Sequence, residues 1–177
     1  MLRTFIITGD TDGGKTLFIK DLTEFLSLFE PDIQGFCSKG IFTSEGIKDF
    51  AMINLSDRSE IHLSTRSPRI NYLPAGKFYF NPEAIEKGEA IVDSAIRSKT
   101  RILIIDEIGP IELNDMIWAK SLYRILSEYE GVLIITIRLK LIEKVIEKFM
   151  IHEAFIENID KTTPRKTGEA ILSLLNN

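Results

Sequence analysis

The 177-residue sequence has few of the residues that build metal centres and disulfide frameworks. It contains one cysteine, Cys37, and two histidines, His62 and His152. A single cysteine excludes a disulfide within the chain and a cysteine-based zinc site, and two histidines argue against a histidine-rich metal site. The apolar surroundings of Cys37 favour a core thiol over a nucleophile. His62 is expected on the solvated side of a strand.

Long apolar runs and an excess of basic charge are also missing. No apolar run reaches about 18 residues, and Thr4 and residues 8–12 interrupt the apolar stretch near the N-terminus. We therefore expect a cytoplasmic protein without a membrane span. The net charge of −4 gives no overall basic field, which argues against nucleic acid as a partner but leaves a local basic groove open.

The length and composition fit one domain that spans residues 1–177. The sequence is 44 % hydrophobic, enough for a substantial core, and 27 % charged. No internal repeat, low-complexity stretch or linker divides it. A monomer is the favoured oligomeric state.

The strongest motif in the chain fits the P-loop pattern G-x-x-x-x-G-K-[ST]. It follows a predicted strand at 2–8 and precedes a predicted helix at 17–29, so its backbone N–H groups and the helix dipole would face a phosphate. Lys15 adds a positive charge, and the Thr16 hydroxyl can ligate Mg²⁺. The predicted nucleotide-binding residues are Gly9, Asp10, Thr11, Asp12, Gly13, Gly14, Lys15 and Thr16.

A second signal is the apolar run 102–105, which ends in Asp106-Glu107. A carboxylate at the end of a buried strand can hold Mg²⁺ beside a P-loop, and we assign this role to Asp106. Glu107 would orient or deprotonate the attacking water, which favours hydrolysis over transfer to a bulky acceptor. Alternatively, the Glu107 side chain has no catalytic role and either faces solvent or pairs with a nearby basic residue. Glu112 is a support or an alternative base.

The next buried strand ends in two further polar residues. Thr136 could sense the γ-phosphate or simply cap the core. Arg138 could neutralise charge in the transition state, although a surface role is favoured. Trp118 falls on an apolar helical stripe and is expected in the core.

The order of elements predicts an α/β fold with a mainly parallel central sheet and helices on both faces. The apolar runs 102–105 and 132–137 are typical of buried parallel strands. Between the P-loop and the run 102–105, strands are predicted at 33–38, 41–43, 47–55 and 60–65, with turns at 44–46 and 56–59. These short turns predict an antiparallel, hairpin-rich insert at about 36–80. Helices are predicted to start at Asn81-Pro82, at Asn114 and at Thr163-Pro164.

Five segments occur in an order and at spacings typical of one family: Gly9–Thr16, Gly35-Phe36, Asp49-Phe50, Gly76-Lys77-Phe78 and Asp106–Leu113. They resemble the small archaeal and bacterial P-loop nucleoside-triphosphatase family, which a human cancer-related member also represents. The resemblance spans nearly the whole chain and is most specific at Asp106-Glu107-Ile108-Gly109 through Glu112-Leu113. It implies a RecA-like P-loop fold and slow, Mg²⁺-dependent hydrolysis of ATP, GTP and other nucleoside triphosphates. It also implies nucleotide contacts at the P-loop and at Leu103, Ile104, Ile105, Asp106, Glu107, Ile108 and Gly109.

The chain departs from the family pattern at several positions. Thr11 and Asp12 replace the usual proline and glycine of the P-loop, and Leu17 replaces a threonine. We expect the Asp10 and Asp12 side chains to point outward, away from the phosphates. Ile159 stands where the family has arginine, and residues 39–42 lack the usual glutamate and arginine.

Two alternative functions remain open at the level of sequence. Residues 8–12 faintly resemble the loop of dethiobiotin synthetase, and Arg58, Arg66 and Arg69 could form a lid, as in a small-molecule kinase or ATP-dependent ligase. The altered P-loop is also compatible with a nucleotide-binding module that has little catalysis.

Overall fold

In the computed structural model, which describes residues 1–10, 14–43 and 46–176, nine strands form one sheet. In chain order these strands are β1 (Arg3–Gly9), β2 (Ile33–Thr43), β3 (Gly46–Asn54), β4 (Glu60–Thr65), β5 (Leu73–Ala75), β6 (Phe78–Phe80), β7 (Ile102–Ile108), β8 (Val132–Arg138) and β9 (Ala154–Asn158).

The strand order across the sheet is β5-β6-β4-β3-β2-β7-β8-β1-β9. Strands β2, β7, β8, β1 and β9 run parallel to their neighbours in this half of the sheet. Strands β3, β4, β6 and β5 extend it through antiparallel pairs. The prediction of a mainly parallel sheet with an antiparallel extension is therefore confirmed.

Five helices cover the two faces of the sheet within the described part of the chain: α1 (Lys15–Leu26), α2 (Pro82–Ser98), α3 (Ala119–Glu128), α4 (Ile142–Phe149) and α5 (Pro164–Leu175). Helices α1 and α5 enclose one apolar core with Phe5, Ile104 and Ile134. Helices α2, α3 and α4 enclose a second core on the opposite face, which includes Trp118. None of the described helices is both long and apolar enough to cross a membrane.

Two of the predicted helix starts are confirmed in detail. The Asn81 side chain accepts a hydrogen bond from the backbone N–H of Glu83 at 3.2 Å, and Pro82 occupies the first turn of α2. Thr163 caps α5 by accepting from the N–H of Lys166 at 3.3 Å. Both caps satisfy N–H groups that a helix start leaves unpaired.

The helix start predicted at Asn114 is wrong. Asn114 ends a short 3₁₀ turn, and its side-chain N–H group donates to the Pro110 carbonyl at 2.6 Å. The backbone then takes positive φ values at Asp115 and Ile117, which are incompatible with a continuing helix. Helix α3 therefore begins only at Ala119.

Strand β2 is longer than predicted, because the segments 33–38 and 41–43 form one strand. Its first residues pair with β7, and the rest pair with β3. Gly35 has φ +134, and a Cβ atom there would lie 2.1 Å from the Ile104 carbonyl oxygen. This close approach of two backbones requires glycine. The turn predicted at 44–46 begins with residues 44–45, which lie outside the described residues.

Candidate nucleotide site

The P-loop connects β1 to α1 at the carboxyl edge of the sheet. Gly9 is the last residue of β1, and Gly14 precedes α1 with φ 85. Asp10 is exposed and lines a pocket beside the loop, so its orientation away from the phosphates stays a prediction. The predicted nucleotide-binding residues Thr11, Asp12 and Gly13, and with them the predicted orientation of Asp12, lie outside the described residues.

The Lys15 ammonium lies over the start of this loop and is nearly buried, with 8 % of the residue exposed. Its Nζ donates to the carbonyl oxygens of Asp10 at 2.7 Å and Gly9 at 3.3 Å. Within residues 1–10, 14–43 and 46–176, no carboxylate lies at ion-pair distance from Lys15. A buried cation without a counter-charge is unfavourable on its own and suits an anionic ligand.

Asp106 is held by residues from three other elements. It is 2 % exposed. Its Oδ2 accepts from the Thr16 hydroxyl at 2.9 Å and from the Ser38 N–H at 3.1 Å. Its Oδ1 accepts from the hydroxyl of Thr136. Burial raises the pKa of the Asp106 carboxyl, and these hydrogen bonds oppose that rise.

A bulge in β7 separates the two acids at its end. Ile105 pairs with Ile135 and Ile108 pairs with Ile137, so β7 has one residue more than β8 between these pairs. Bulges change the direction in which side chains point. Asp106 is buried against Thr136, whereas the Glu107 side chain remains about one third exposed.

Glu107 forms an ion pair with Arg138. The Arg138 Nε donates to the Glu107 Oε1 at 2.7 Å, and both side chains are about one third exposed. The sequence left open whether Glu107 pairs with a nearby base, and this contact shows that it does. Because Arg138 holds the carboxylate through Oε1, a catalytic role requires either that water reaches the other oxygen or that the pair opens.

Glu112 holds the segment that follows Glu107. It is 4 % exposed, and its Oε2 accepts from the Gly109 N–H at 2.9 Å. Burial raises the pKa of the Glu112 carboxyl to about 7. The carboxyl group holds the backbone just beyond Glu107, and the role of Glu112 as a support or base in catalysis stays a prediction.

The apolar residues of β7 position the acids rather than form a surface. Leu103, Ile104, Ile105 and Ile108 are all 0 % exposed, and their side chains lie in the two cores. Their contact with nucleotide stays a prediction. Gly109 follows them as the N–H donor to Glu112.

Two parts of the site were not predicted from sequence. Ser38, whose hydroxyl also donates to the Asp106 carbonyl at 3.0 Å, ends a predicted strand, which is the one signal that could have found it. The second part is a pocket of about 200 Å³ beside the P-loop. Its lining residues are Gly9, Asp10, Arg138, Leu139 and Lys140.

Cys37 is a core residue, as predicted, because it is 4 % exposed and burial raises the pKa of its thiol to about 12. Such a thiol is a poor nucleophile. His62 is less solvated than predicted. Its Nδ1 lies 3.1 Å from the Tyr72 hydroxyl, and its Nε2 lies 3.5 Å from an Asp49 oxygen.

The three arginines considered as a lid contact different groups. Arg66 stacks over the Phe78 ring and Arg69 over the Tyr72 ring. Arg58 lies 3.9 Å from Glu24. The structure therefore does not bring the three guanidinium groups to one common partner.

Known proteins share this architecture. A family model described as NTPase matches residues 4–166. The crystal structure of THEP1 from the hyperthermophile Aquifex aeolicus is similar with a TM-score of 0.73 and 23 % identity, over 98 % of this chain and 99 % of that one. The solution structure of a human cancer-related nucleoside triphosphatase is similar with a TM-score of 0.71 and 20 % identity, over 98 % and 97 %. No curated protein sequence matches the chain.

Proposed function

Because the chain belongs to the NTPase family and is thus a hydrolase of nucleoside triphosphates, we propose that it slowly converts ATP, GTP and other nucleoside triphosphates to the diphosphate and phosphate in a Mg²⁺-dependent reaction.

One contact supports the proposal above all others: the hydrogen bond of 2.9 Å between Thr16 and Asp106. It joins the helix that follows the P-loop to the acid at the end of β7. A hydroxyl and a carboxylate in this arrangement are the protein ligands that P-loop enzymes use for the metal beside the phosphates.

These two residues fit Mg²⁺ by their chemistry. Mg²⁺ prefers oxygen ligands and is commonly bound through one or two carboxylates together with substrate phosphates. Buried Asp106 oxygens and the Thr16 hydroxyl provide such a donor set at a single point. When bound there, Mg²⁺ would neutralise negative charge that develops on the phosphates.

The remaining residues of the site bind phosphate and activate the attacking water. The Lys15 ammonium, already oriented by the Gly9 and Asp10 carbonyls, binds the phosphate oxygens. Glu107 orients the attacking water and accepts its proton. Glu112 keeps the segment after Glu107 in place through Gly109, and is the next candidate for the base.

Broad specificity is part of the proposal because the sequence holds no motif that selects one particular base.

A phosphate-release assay tests this function. Wild-type protein is incubated with ATP, GTP, CTP and UTP, with Mg²⁺ and with chelator. We expect release from several triphosphates and only with Mg²⁺. Lys15→Ala should abolish nucleotide binding. Glu107→Gln should keep binding and lose about 100-fold or more of turnover, the usual contribution of a general base.

Glu128→Gln is the matched control, because Glu128 is also paired with an arginine, Arg124, at 3.4 Å. It should retain wild-type turnover. Full turnover in Glu107→Gln would assign the base elsewhere. Release that needs a second substrate would favour a kinase or ligase, and no release over hours would favour a nucleotide-binding module.

A further inference from the structure

We propose that Arg138 exchanges Glu107 for the γ-phosphate when a triphosphate binds, so that the substrate itself frees the carboxylate that activates water. This inference rests on the proposed function and assigns Arg138 a role as a sensor of the triphosphate.

Arg138 lies next to the start of the P-loop. In the sheet it is the register partner of Gly9 on the adjacent strand β1, and neighbouring strands are about 4.8 Å apart. Arg138 also lines the pocket together with Gly9 and Asp10. Arg138 therefore lies beside the start of the phosphate loop, and its side chain contacts Glu107 on β7.

The contact with Glu107 leaves most of the guanidinium available. Only its Nε is used, in the 2.7 Å hydrogen bond. Neither Nη group donates to an acceptor in the part of the chain that the structure describes. A guanidinium has five donors in a planar array that matches the oxygens of a phosphate.

Arg138 should bind a γ-phosphate more strongly than it binds the Glu107 carboxylate. The ion pair is about one third exposed on both sides, and ion pairs in contact with water are weak. A γ-phosphate presents more negative charge and more acceptor oxygens than a single carboxylate. A diphosphate lacks this group, so Arg138 should remain with Glu107 when the product is bound.

If this exchange occurs, substitutions of Glu107 and of Arg138 should change the affinity for a triphosphate in opposite directions. Affinities are measured for the nucleoside diphosphate and for a non-hydrolysable triphosphate analogue, both with Mg²⁺. Glu107→Gln frees Arg138 and should bind the analogue roughly twofold to fivefold more tightly, the range expected from the loss of an exposed ion pair. Its affinity for the diphosphate should not change.

Arg138→Gln should bind the analogue more weakly, bind the diphosphate as wild type does, and have a lower kcat. The double variant should behave as Arg138→Gln does, because the gain from Glu107→Gln requires the arginine. Arg138→Lys should restore part of the preference for the analogue. A purely structural role would change both affinities together.

Arg124→Gln is the matched control. Arg124 pairs with Asp93 and is 39 % exposed, close to the 34 % of Arg138, but it links α2 to α3. It should leave both affinities unchanged.

Equal affinity of Glu107→Gln and wild type for the analogue would overturn the exchange, even if wild type hydrolyses triphosphates. A persistent gain in the double variant would also overturn it. If wild type releases no phosphate, the proposed function fails, but the comparison of the two affinities still decides the role of Arg138.

Discussion

Glu112 is a carboxyl group buried without a positively charged partner in the described part of the chain. It accepts the Gly109 N–H, but burial still dominates and raises the pKa to about 7 from its ordinary value of 4.5. The carboxylate form is therefore unfavourable in the folded protein. This property gives the stability of the chain a pH dependence that can be measured.

The direction of this pH dependence follows from the difference in bound protons between the folded and the unfolded chain. Between pH 4.5 and about 7, folded Glu112 keeps a proton that the unfolded chain releases. The free energy of unfolding should fall as pH rises through this window, by up to about 3 kcal/mol from this group. The protonated group thus contributes its stability fully below pH 4.5 and loses it above about 7.

Glu112→Gln should remove this contribution while its amide oxygen still accepts the Gly109 N–H. Urea unfolding from pH 4.5 to 8 should show the variant gaining stability relative to wild type as pH rises. Glu128→Gln, at an exposed position, serves as the control. Parallel profiles for wild type and Glu112→Gln would contradict the prediction.

At the scale of elements, the contact between β2 and β7 is sensitive to a single added methyl group. Gly35→Ala would place a Cβ 2.1 Å from the Ile104 carbonyl oxygen at φ +134. The backbones must separate, and we expect a loss of about 3 kcal/mol or more in unfolding free energy. Chemical denaturation measures this loss.

Gly76→Ala is the matched comparison. Gly76 also has a positive φ, of 59, but the nearest atom to an added Cβ is a flexible Ile111 carbon at 3.7 Å. The loss should be limited to the backbone strain of about 1–2 kcal/mol. Similar losses in both variants would show that the close approach of β2 and β7 has little effect.

Elements with local signals were predictable from the sequence. The apolar runs of β7 and β8 specify buried parallel strands, and Asn81 and Thr163 specify helix starts through their caps. The start of α3 was not predictable in this way, because the helical spacing of apolar residues already includes Trp118, one residue before the helix begins. The positive φ of Asp115 and Ile117 that delays the helix has no local signature.

The candidate site, like the fold, was predictable where its residues belong to local sequence motifs. Thr16 and Asp106 belong to motifs that each carry a chemical meaning, and the structure brings them within 2.9 Å. The contacts of Ser38 and Arg138 depend on the order β2-β7-β8-β1. Strand order is a property of the assembled sheet, so these contacts could not be read from one sequence.

At the scale of the molecule, a nucleotide bound beside the nearly buried Lys15 should stabilise the fold, because a ligand that binds only the folded chain shifts the unfolding equilibrium towards it. A triphosphate with Mg²⁺ at 100 times its dissociation constant should stabilise the fold by about 2.7 kcal/mol. For a chain of this length we expect a rise in Tm of roughly 5–10 °C. Thermal unfolding with and without nucleotide measures it.

The same experiment on Lys15→Ala provides the control, because that variant should melt at one temperature with or without nucleotide. A rise in wild type caused by Mg²⁺ alone would assign the stabilisation to the metal. No rise with any triphosphate would contradict binding at the P-loop.

The hydrogen bonds of Asp106 also link the candidate metal site to the order in which the chain is synthesised and folds. Its partners Thr16, Ser38 and Thr136 lie 90, 68 and 30 residues away along the chain. Contacts between such distant segments form only after large loops have closed. Asp106 can therefore reach all three partners only when the segments that carry them have folded together, and Thr136 is the last of these four residues to be synthesised.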